Sequence, residues 1–485
     1  MPARACDRFS SRAAQVADFR SSGVSTAGGD KRFDLARLSC QNAPCSGDNF
    51  GFNLTIAKLS QRFLAGLCAA FVSSLVSATA TVDNYGYPIT DRFAATVVGT
   101  PEGYEADLPK RNPLEKRHID IFPERSLPDL IWYGHNLIYS EALQDDPAPL
   151  IFLIAGTGAA HNGAKNVNMA RAFYQAGFHV VSLSSPTFPN FVTSASTTGV
   201  DGHAQRDAAD LYRVMERIWA RLEKKIEVTS FNMTGYSLGG FNAAYVAKLD
   251  EERKSFNFRR VLLINPPVSI YNSISLLDRM TQNIPGGEDN FARFFNRLVE
   301  GFSKIYKEED NIGGDFLYQA YKAMNLENEE LAALIGVSFR VSSGSLVFTS
   351  DVMTDFGYVK PKGLELDRYA DLKVYNQVVS RLGFTDYYHD FFYPFYKQDY
   401  PDMSRDEFIA AISLTEIADY LRSSRKITVM HNQDDIILET GEIEFFNEVF
   451  GDRATIYPHG GHCGNINYRD NVAHMLAAFT TEEAR

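Results

Sequence analysis

From residue 116 onward the chain alternates between two hydrophobic patterns. Short apolar runs at 118–122, 130–133, 150–155, 179–184, 226–233, 260–264, 427–431 and 455–457 read as strands. The later runs are continuously apolar, as expected for parallel strands covered on both faces. Between them, residues 167–175, 204–224 and 241–249 space their apolar positions as helices do. This alternation predicts an α/β fold with a mostly parallel sheet and helices on both sides. It is interrupted over residues 268–424, where helical spacing recurs at 290–306, 317–324, 327–335, 368–382 and 405–421. That stretch predicts a large helical insertion after the sixth strand.

The chain before residue 116 has another character. Residues 1–53 mix Ser, Gly, Ala and Arg without a sustained period and read as a poorly structured extension. Lys58 and Arg62 then precede an apolar stretch, 63–76, that ends in Ala78-Thr79-Ala80. A basic start, an apolar middle and an Ala-x-Ala end are the parts of a secretory signal peptide, here over 54–80. The expectation is a periplasmic or secreted protein whose translation begins near Leu54, with no stable membrane span in the mature chain. A cytoplasmic protein, or one anchored by the same segment, is the alternative. Residues 81–115 form a lead-in to the core, which comprises 116–267 and 425–485.

Charge and cysteine content narrow the classes. The formal charge of -12 offers no basic excess to neutralise phosphates, which argues against nucleic acid as a partner. Of the five cysteines, Cys6, Cys40, Cys45, Cys68 and Cys463, only Cys463 follows Ala80, so a mature chain would hold no intrachain disulfide. Cys40 and Cys45 lack a second pair, and no metal-ligand spacing occurs elsewhere; neither a metal nor a cofactor is expected.

Candidate chemistry begins at Gly235-Tyr236-Ser237-Leu238-Gly239, which joins an apolar run to a small-residue helical pattern (Gly240, Ala243, Ala244, Val246, Ala247). Strand, G-x-S-x-G, then helix is the order of a nucleophile elbow. There a strained turn lifts the serine hydroxyl, and a Cβ at either glycine would strike the neighbouring helix or strand. With this turn, three further stretches resemble the α/β-hydrolase superfamily: Ile151 to Gly158, a strand ending in a Gly-rich turn; Ile427 to Leu438, an apolar strand followed by two acids; and Tyr457 to Gly464, with its Gly-Gly-His. Serine, acid and histidine follow one another in the order that superfamily uses.

The resemblance implies roles residue by residue. Ser237 would be the nucleophile, His462 its base and Asp435 the acid that orients the histidine, with Asp434 the alternative acid. Asp435 is third after Asn432, where the family usually has Gly; Asn tolerates positive φ. The oxyanion donors would be the N–H groups of Leu238 and Thr157, with Gly158 the alternative to Thr157. His459 lacks the Gly-Gly lead, His431 reads as a structural hydrogen-bonder, His161 as a loop residue facing solvent or substrate, and Cys463 as packing.

The implied activity is hydrolysis of a carboxylic ester or related acyl bond, on a small-molecule or lipid-like substrate, through an acyl-enzyme. A serine peptidase or an acyltransferase could use the same triad. A non-catalytic binding protein on this scaffold is the reading from another class. The insertion stands where the superfamily commonly places a cap, and its aromatic run, 384–396, predicts either packing of that cap onto the sheet or an apolar pocket above Ser237.

Overall fold

Residues 148–154 show why the centre of the molecule is a sheet. Leu150, Phe152 and Ile154 face one side and Ile151 and Leu153 the other, and all five are fully buried. A strand that is apolar on both faces needs cover on both. The computed structural model describes residues 80–81, 85–294, 296–297, 300 and 326–480. The expected extension (1–53), nearly all of the expected signal peptide, helix 317–324 and much of helix 290–306 lie outside the described residues.

Among the described residues, nine strands form one sheet in the order β1-β9-β8-β7-β6-β4-β5-β3-β2. They are β1 (Ala80–Thr81), β2 (Glu115–Ile119), β3 (Leu137–Ala142), β4 (Ala148–Ile154), β5 (His179–Leu183), β6 (Val228–Tyr236), β7 (Arg260–Ile264), β8 (Ile427–Asn432) and β9 (Ala454–Tyr457). Neighbours run parallel except at β3, which is antiparallel to both β2 and β5. The α-helices of six residues or more among the described residues are, in chain order, α1 (Arg92–Val98), α2 (Ala164–Gln175), α3 (Pro189–Ser194), α4 (Ala204–Leu222), α5 (Leu238–Arg253), α6 (Ile270–Arg279), α7 (Asn328–Thr354), α8 (Lys373–Val379), α9 (Arg405–Ala411), α10 (Ala418–Ser423), α11 (Glu442–Phe450) and α12 (Arg469–Thr480).

Helices α2 and α12 cover one face of the sheet through Met169, Phe173, Met475 and Phe479. Helices α4, α5 and α11 cover the other through Leu211, Met215, Ile218, Val246 and Phe446. In α4 the buried residues Ala204, Ala208, Leu211, Met215, Ile218 and Leu222 recur every three or four positions, so one stripe of the helix meets the sheet. The fold is the expected one: a mostly parallel sheet with helices on both faces.

Two expected strands need correction. Residues 130–133 lie in a 3-10 turn, Asp129–Gly134, with Trp132 and Tyr133 exposed. The strand is instead β3, whose apolar run is broken by Ser140 and Glu141. Both are buried, and Glu141 is made tolerable there by ion pairs with Arg117 and Arg221. The run at 118–122 begins earlier, as β2, because an edge strand can place exposed charged residues such as Glu115 and Lys116 in the ladder.

The insertion between β7 and β8 is built on α7, a helix of 27 residues where only its first turns were legible. Beyond those turns the helix carries Gly336 and Gly344. They are contact points: a Cβ on Gly336 would lie 2.7 Å from Thr281 N, and one on Gly344 would lie 3.0 Å from Val379 O. α7 has the length and hydropathy of a membrane span, and 61% of its most apolar window is buried within the fold.

Candidate active site

Ser237 sits at the join of β6 and α5 with φ 55 and ψ -129, a backbone conformation that side chains rarely adopt. The surroundings hold it there. Its N–H donates to Ile264 O on β7 (2.8 Å), and its carbonyl accepts from Phe241 N–H (3.1 Å). A Cβ on Gly235 would collide with the Gly239 carbonyl group, and one on Gly239 with Ile154 O on β4. The two glycines let helix and strand meet at backbone distance, which is what points the serine outward.

His462 follows β9 in a turn of its own. Its Nε2 lies 2.9 Å from Ser237 Oγ, and its Nδ1 lies 3.1 Å from each oxygen of Asp435. Nδ1–H therefore donates to the carboxylate, leaving Nε2 free to accept from the serine hydroxyl. Asp435 Oδ2 also accepts from Asn265 Nδ2 (2.8 Å), and Oδ1 from Ile437 N–H (3.1 Å). Asp434 faces elsewhere. Its carboxylate accepts from Gly461 N–H (2.9 Å) and Gly460 N–H (3.3 Å), so it holds the histidine turn rather than the imidazole.

The electrostatics of the pair are opposed by burial and set by contact. Burial pushes the Asp435 carboxyl up, but His462, His431 and the N–H donors pull it down further, so it stays below its ordinary value. Burial pulls His462 down, and the Asp435 carboxylate, aided by Cys463, more than reverses this and raises it. Asp434, half-buried with only N–H donors to favour its charge, is raised by burial.

The Gly-rich turn after β4 lies against the serine: a Cβ on Gly156 would stand 3.1 Å from Ser237 Cβ. Gly158 N–H donates to Thr187 Oγ1 (2.9 Å) and so points into the protein, which removes it as an alternative donor. Among the described residues, the N–H groups of Thr157 and Leu238 have no hydrogen-bond partner. From above, α7 meets this turn, with Ser342 Oγ 2.9 Å from where a Gly158 Cβ would be.

The other singled-out residues partly follow expectation and partly depart from it. His161 does not face solvent; it is buried, bonded through Nδ1 to Ser140 Oγ (2.7 Å), and burial lowers its pKa to about 4. His459 turns away to Tyr87 O (2.9 Å). His431 is a buried hydrogen-bonder: Nδ1 accepts from Asn432 N–H and Nε2–H donates to Pro266 O. Cys463 packs beneath the turn, with Sγ 3.9 Å from His462 Nε2. Asn432 ends β8 without a positive φ. Its side chain serves instead, Nδ2 donating to Gly461 O (2.7 Å) and to Asn465 Oδ1 (3.0 Å).

The aromatic run forms helical turns around a wide π-type segment, Tyr387–Phe392. Tyr387, Tyr388, Phe391, Phe392 and Tyr396 are buried. Tyr387 O–H donates to Asp201 O (2.9 Å) and Tyr396 O–H to Val200 O (2.7 Å). These rings fasten the insertion to the loop that precedes α4.

Two groups escaped the sequence reading. Asn265, at φ 46 directly after β7, braces Asp435; the only trace in the sequence is an Asn between an apolar run and Pro266-Pro267. Thr96, in the lead-in, bonds to the His462 backbone, and no spacing rule links residues 366 positions apart. Among the described residues, no group of three or more His, Cys, Asp or Glu could hold a metal ion.

No protein-family model and no curated protein matches the sequence. Solved structures that resemble it include a thioesterase domain from the curacin biosynthetic pathway (11% identity, 76% of this chain and 100% of that one, TM-score 0.36). Others are a proline iminopeptidase of Mycobacterium smegmatis (13%, 75% and 97%, 0.36) and 2-hydroxy-6-oxo-6-phenylhexa-2,4-dienoate hydrolase of a Rhodococcus species (13%, 76% and 100%, 0.38). Likenesses this distant say nothing about activity. The sheet, the serine turn on β6 and the acid and histidine turns after β8 and β9 speak from the chain itself: it has the α/β-hydrolase fold.

Proposed function

We propose that this protein is a serine hydrolase that cleaves a carboxylic ester or related acyl bond through an acyl-enzyme on Ser237. The observation that carries the reading is the hydrogen-bonded line from Ser237 Oγ through His462 to Asp435. In the first half-reaction Ser237 Oγ attacks the acyl carbonyl while His462 Nε2 takes its proton. The carbonyl oxygen becomes an oxyanion, accepting from Thr157 N–H and Leu238 N–H. His462 then gives the proton to the leaving group. In the second half-reaction water attacks the acyl-enzyme, His462 takes a proton from it and then gives that proton to Ser237 Oγ as the bond to the acyl group breaks, which releases the acid and restores the free serine and neutral histidine. Asp435 keeps Nδ1–H pointed away from the serine and stabilises the imidazolium in both halves.

A fluorophosphonate probe tests this directly. It should label the folded wild type and leave Ser237→Ala unlabelled. A wild type that takes no label while correctly folded would favour a binding role for the same scaffold.

A further inference from the structure

The turn that carries His462 is in close contact with the lead-in segment. His462 N–H donates to Thr96 Oγ1 (2.8 Å), and Thr96 O–H donates to Arg92 O (2.7 Å), one turn back on α1. On one side of His462, a Cβ added to Gly461 would strike Arg92 O and come within 2.5 Å of Thr96 Oγ1. On the other side, a Cβ on Gly464 would strike Ala95 O. Thr100 Oγ1 donates to Gly464 O (3.0 Å), just past the end of α1. The backbone around His462 is therefore pressed against one short helix at both ends.

That helix is itself held. Asp91 caps it by accepting from Ala94 N–H (2.8 Å). Ala94, Ala95 and Val98 are buried with Tyr87, Ile89 and Tyr468, and with Leu331 on α7. Its Phe93 and Val97 lie against Ile335 on α7 and Ile436 and Ile437, which directly follow Asp435. α1 thus touches the histidine turn, the acid turn and the insertion at once. A seven-residue helix has little stability alone, so its place is set by these contacts.

We infer that α1 is a strut that positions His462, and that Thr96 is its positioning residue. The inference rests on the proposed role of His462 as the base for Ser237. The physical reason is the steepness of proton transfer with distance: a base displaced by about 1 Å can cost on the order of 100-fold in rate. The turn contains Gly460, Gly461 and the strained Cys463, all at positive φ, so it does not hold its shape through local preference. Its shape comes from groups outside it: Asp434 on two N–H groups, Asn432 on the Gly461 carbonyl, and Thr96 on His462 itself. Of these, only Thr96 bonds to the histidine residue.

The test compares wild type, Thr96→Val and Thr96→Ser. Thr96→Val keeps the shape and removes the acceptor; Thr96→Ser keeps the acceptor. The readouts are the rate of fluorophosphonate labelling per folded molecule and the Nδ1–H proton resonance of His462. Labelling should slow by about tenfold or more in Thr96→Val and recover in Thr96→Ser, with the resonance shifted or broadened only in the former. If Thr96→Val does not fold, Thr96→Ala is measured at a temperature where it does. Wild-type labelling and an unmoved resonance in the variant lacking the hydroxyl would overturn the inference. Failure of wild type to label would count against the hydrolase reading alone, because the resonance still reports whether Thr96 sets the imidazole.

Discussion

His462 lies between influences of opposite sign, and its proton affinity decides the pH range in which the proposed chemistry runs. Burial favours the neutral ring, whereas the Asp435 carboxylate favours the charged one and prevails, so the pKa is raised. Only the neutral imidazole can take a proton from Ser237. Activity is therefore lost as pH falls through the raised pKa and is fully present above it. Asp435→Asn removes the charge that raises it, so the acid limb of kcat/KM should move to lower pH. The same change removes the acceptor that fixes the tautomer, and kcat should fall by about 1,000-fold or more. A pH–rate profile of the variant's residual activity checks both. An acid limb that stayed in place would mean that another group titrates it. At this scale the sequence was informative: two adjacent acids, one histidine after Gly-Gly, one serine in the turn. The choice of Asp435 over Asp434 rests on its match to the family's acid position; the residues by themselves do not make it, because neighbouring side chains after a strand leave in different directions that only the turn geometry fixes.

Among elements, the aromatic run is the place to separate packing from recognition. Phe391 is fully buried, with the rings of Phe356, Tyr358 and Tyr387 as neighbours. Phe391→Ala should cost about 3–5 kcal/mol of stability, measured by denaturant unfolding. At temperatures where it stays folded, its preference across a series of ester chain lengths should match that of the wild type. A changed chain-length profile with little loss of stability would assign the ring to the substrate pocket instead. The strands of the core were legible because a doubly buried strand shows its burial as a continuous apolar run. α7 was legible only over its first turns, since its two glycines mark close approaches to the turn after α6 and to α8, partners that the sequence does not reveal.

For the molecule as a whole, the loop before α4 and that helix's first turn hold a source of pH dependence. Asp201 and Asp207 are buried close together, near Asp210 and Arg125, and burial pushes both carboxyls well above the ordinary value of 3.8. In the unfolded chain each would lose its proton near that ordinary value; in the folded chain each keeps it to higher pH. The folded state therefore binds more protons across that window, and stability falls as pH rises through it. Asp201 Oδ2 has no hydrogen-bond partner, so the change to Asn removes the ionisation without removing a bond at that atom. Asp201→Asn should flatten the decline of melting temperature as pH rises above the ordinary carboxyl value. An unchanged slope would place the titration elsewhere.

The division between sequence and structure follows from the range of the forces involved. Local sequence determined what local sterics and burial dictate: the period of each core element, the glycines that allow Ser237 its turn, and the chain order of serine, acid and histidine. It did not determine how the histidine turn is held. Thr96 reaches His462, Asn265 reaches Asp435, and Asn432 and Asp434 reach Gly460 and Gly461 through hydrogen bonds between distant parts of the chain, and such bonds leave no period behind. The same holds for the buried Glu141 of β3, tolerable only because two arginines from other elements meet it. The tertiary structure alone decided these, because a polar group's partner is chosen by proximity in space.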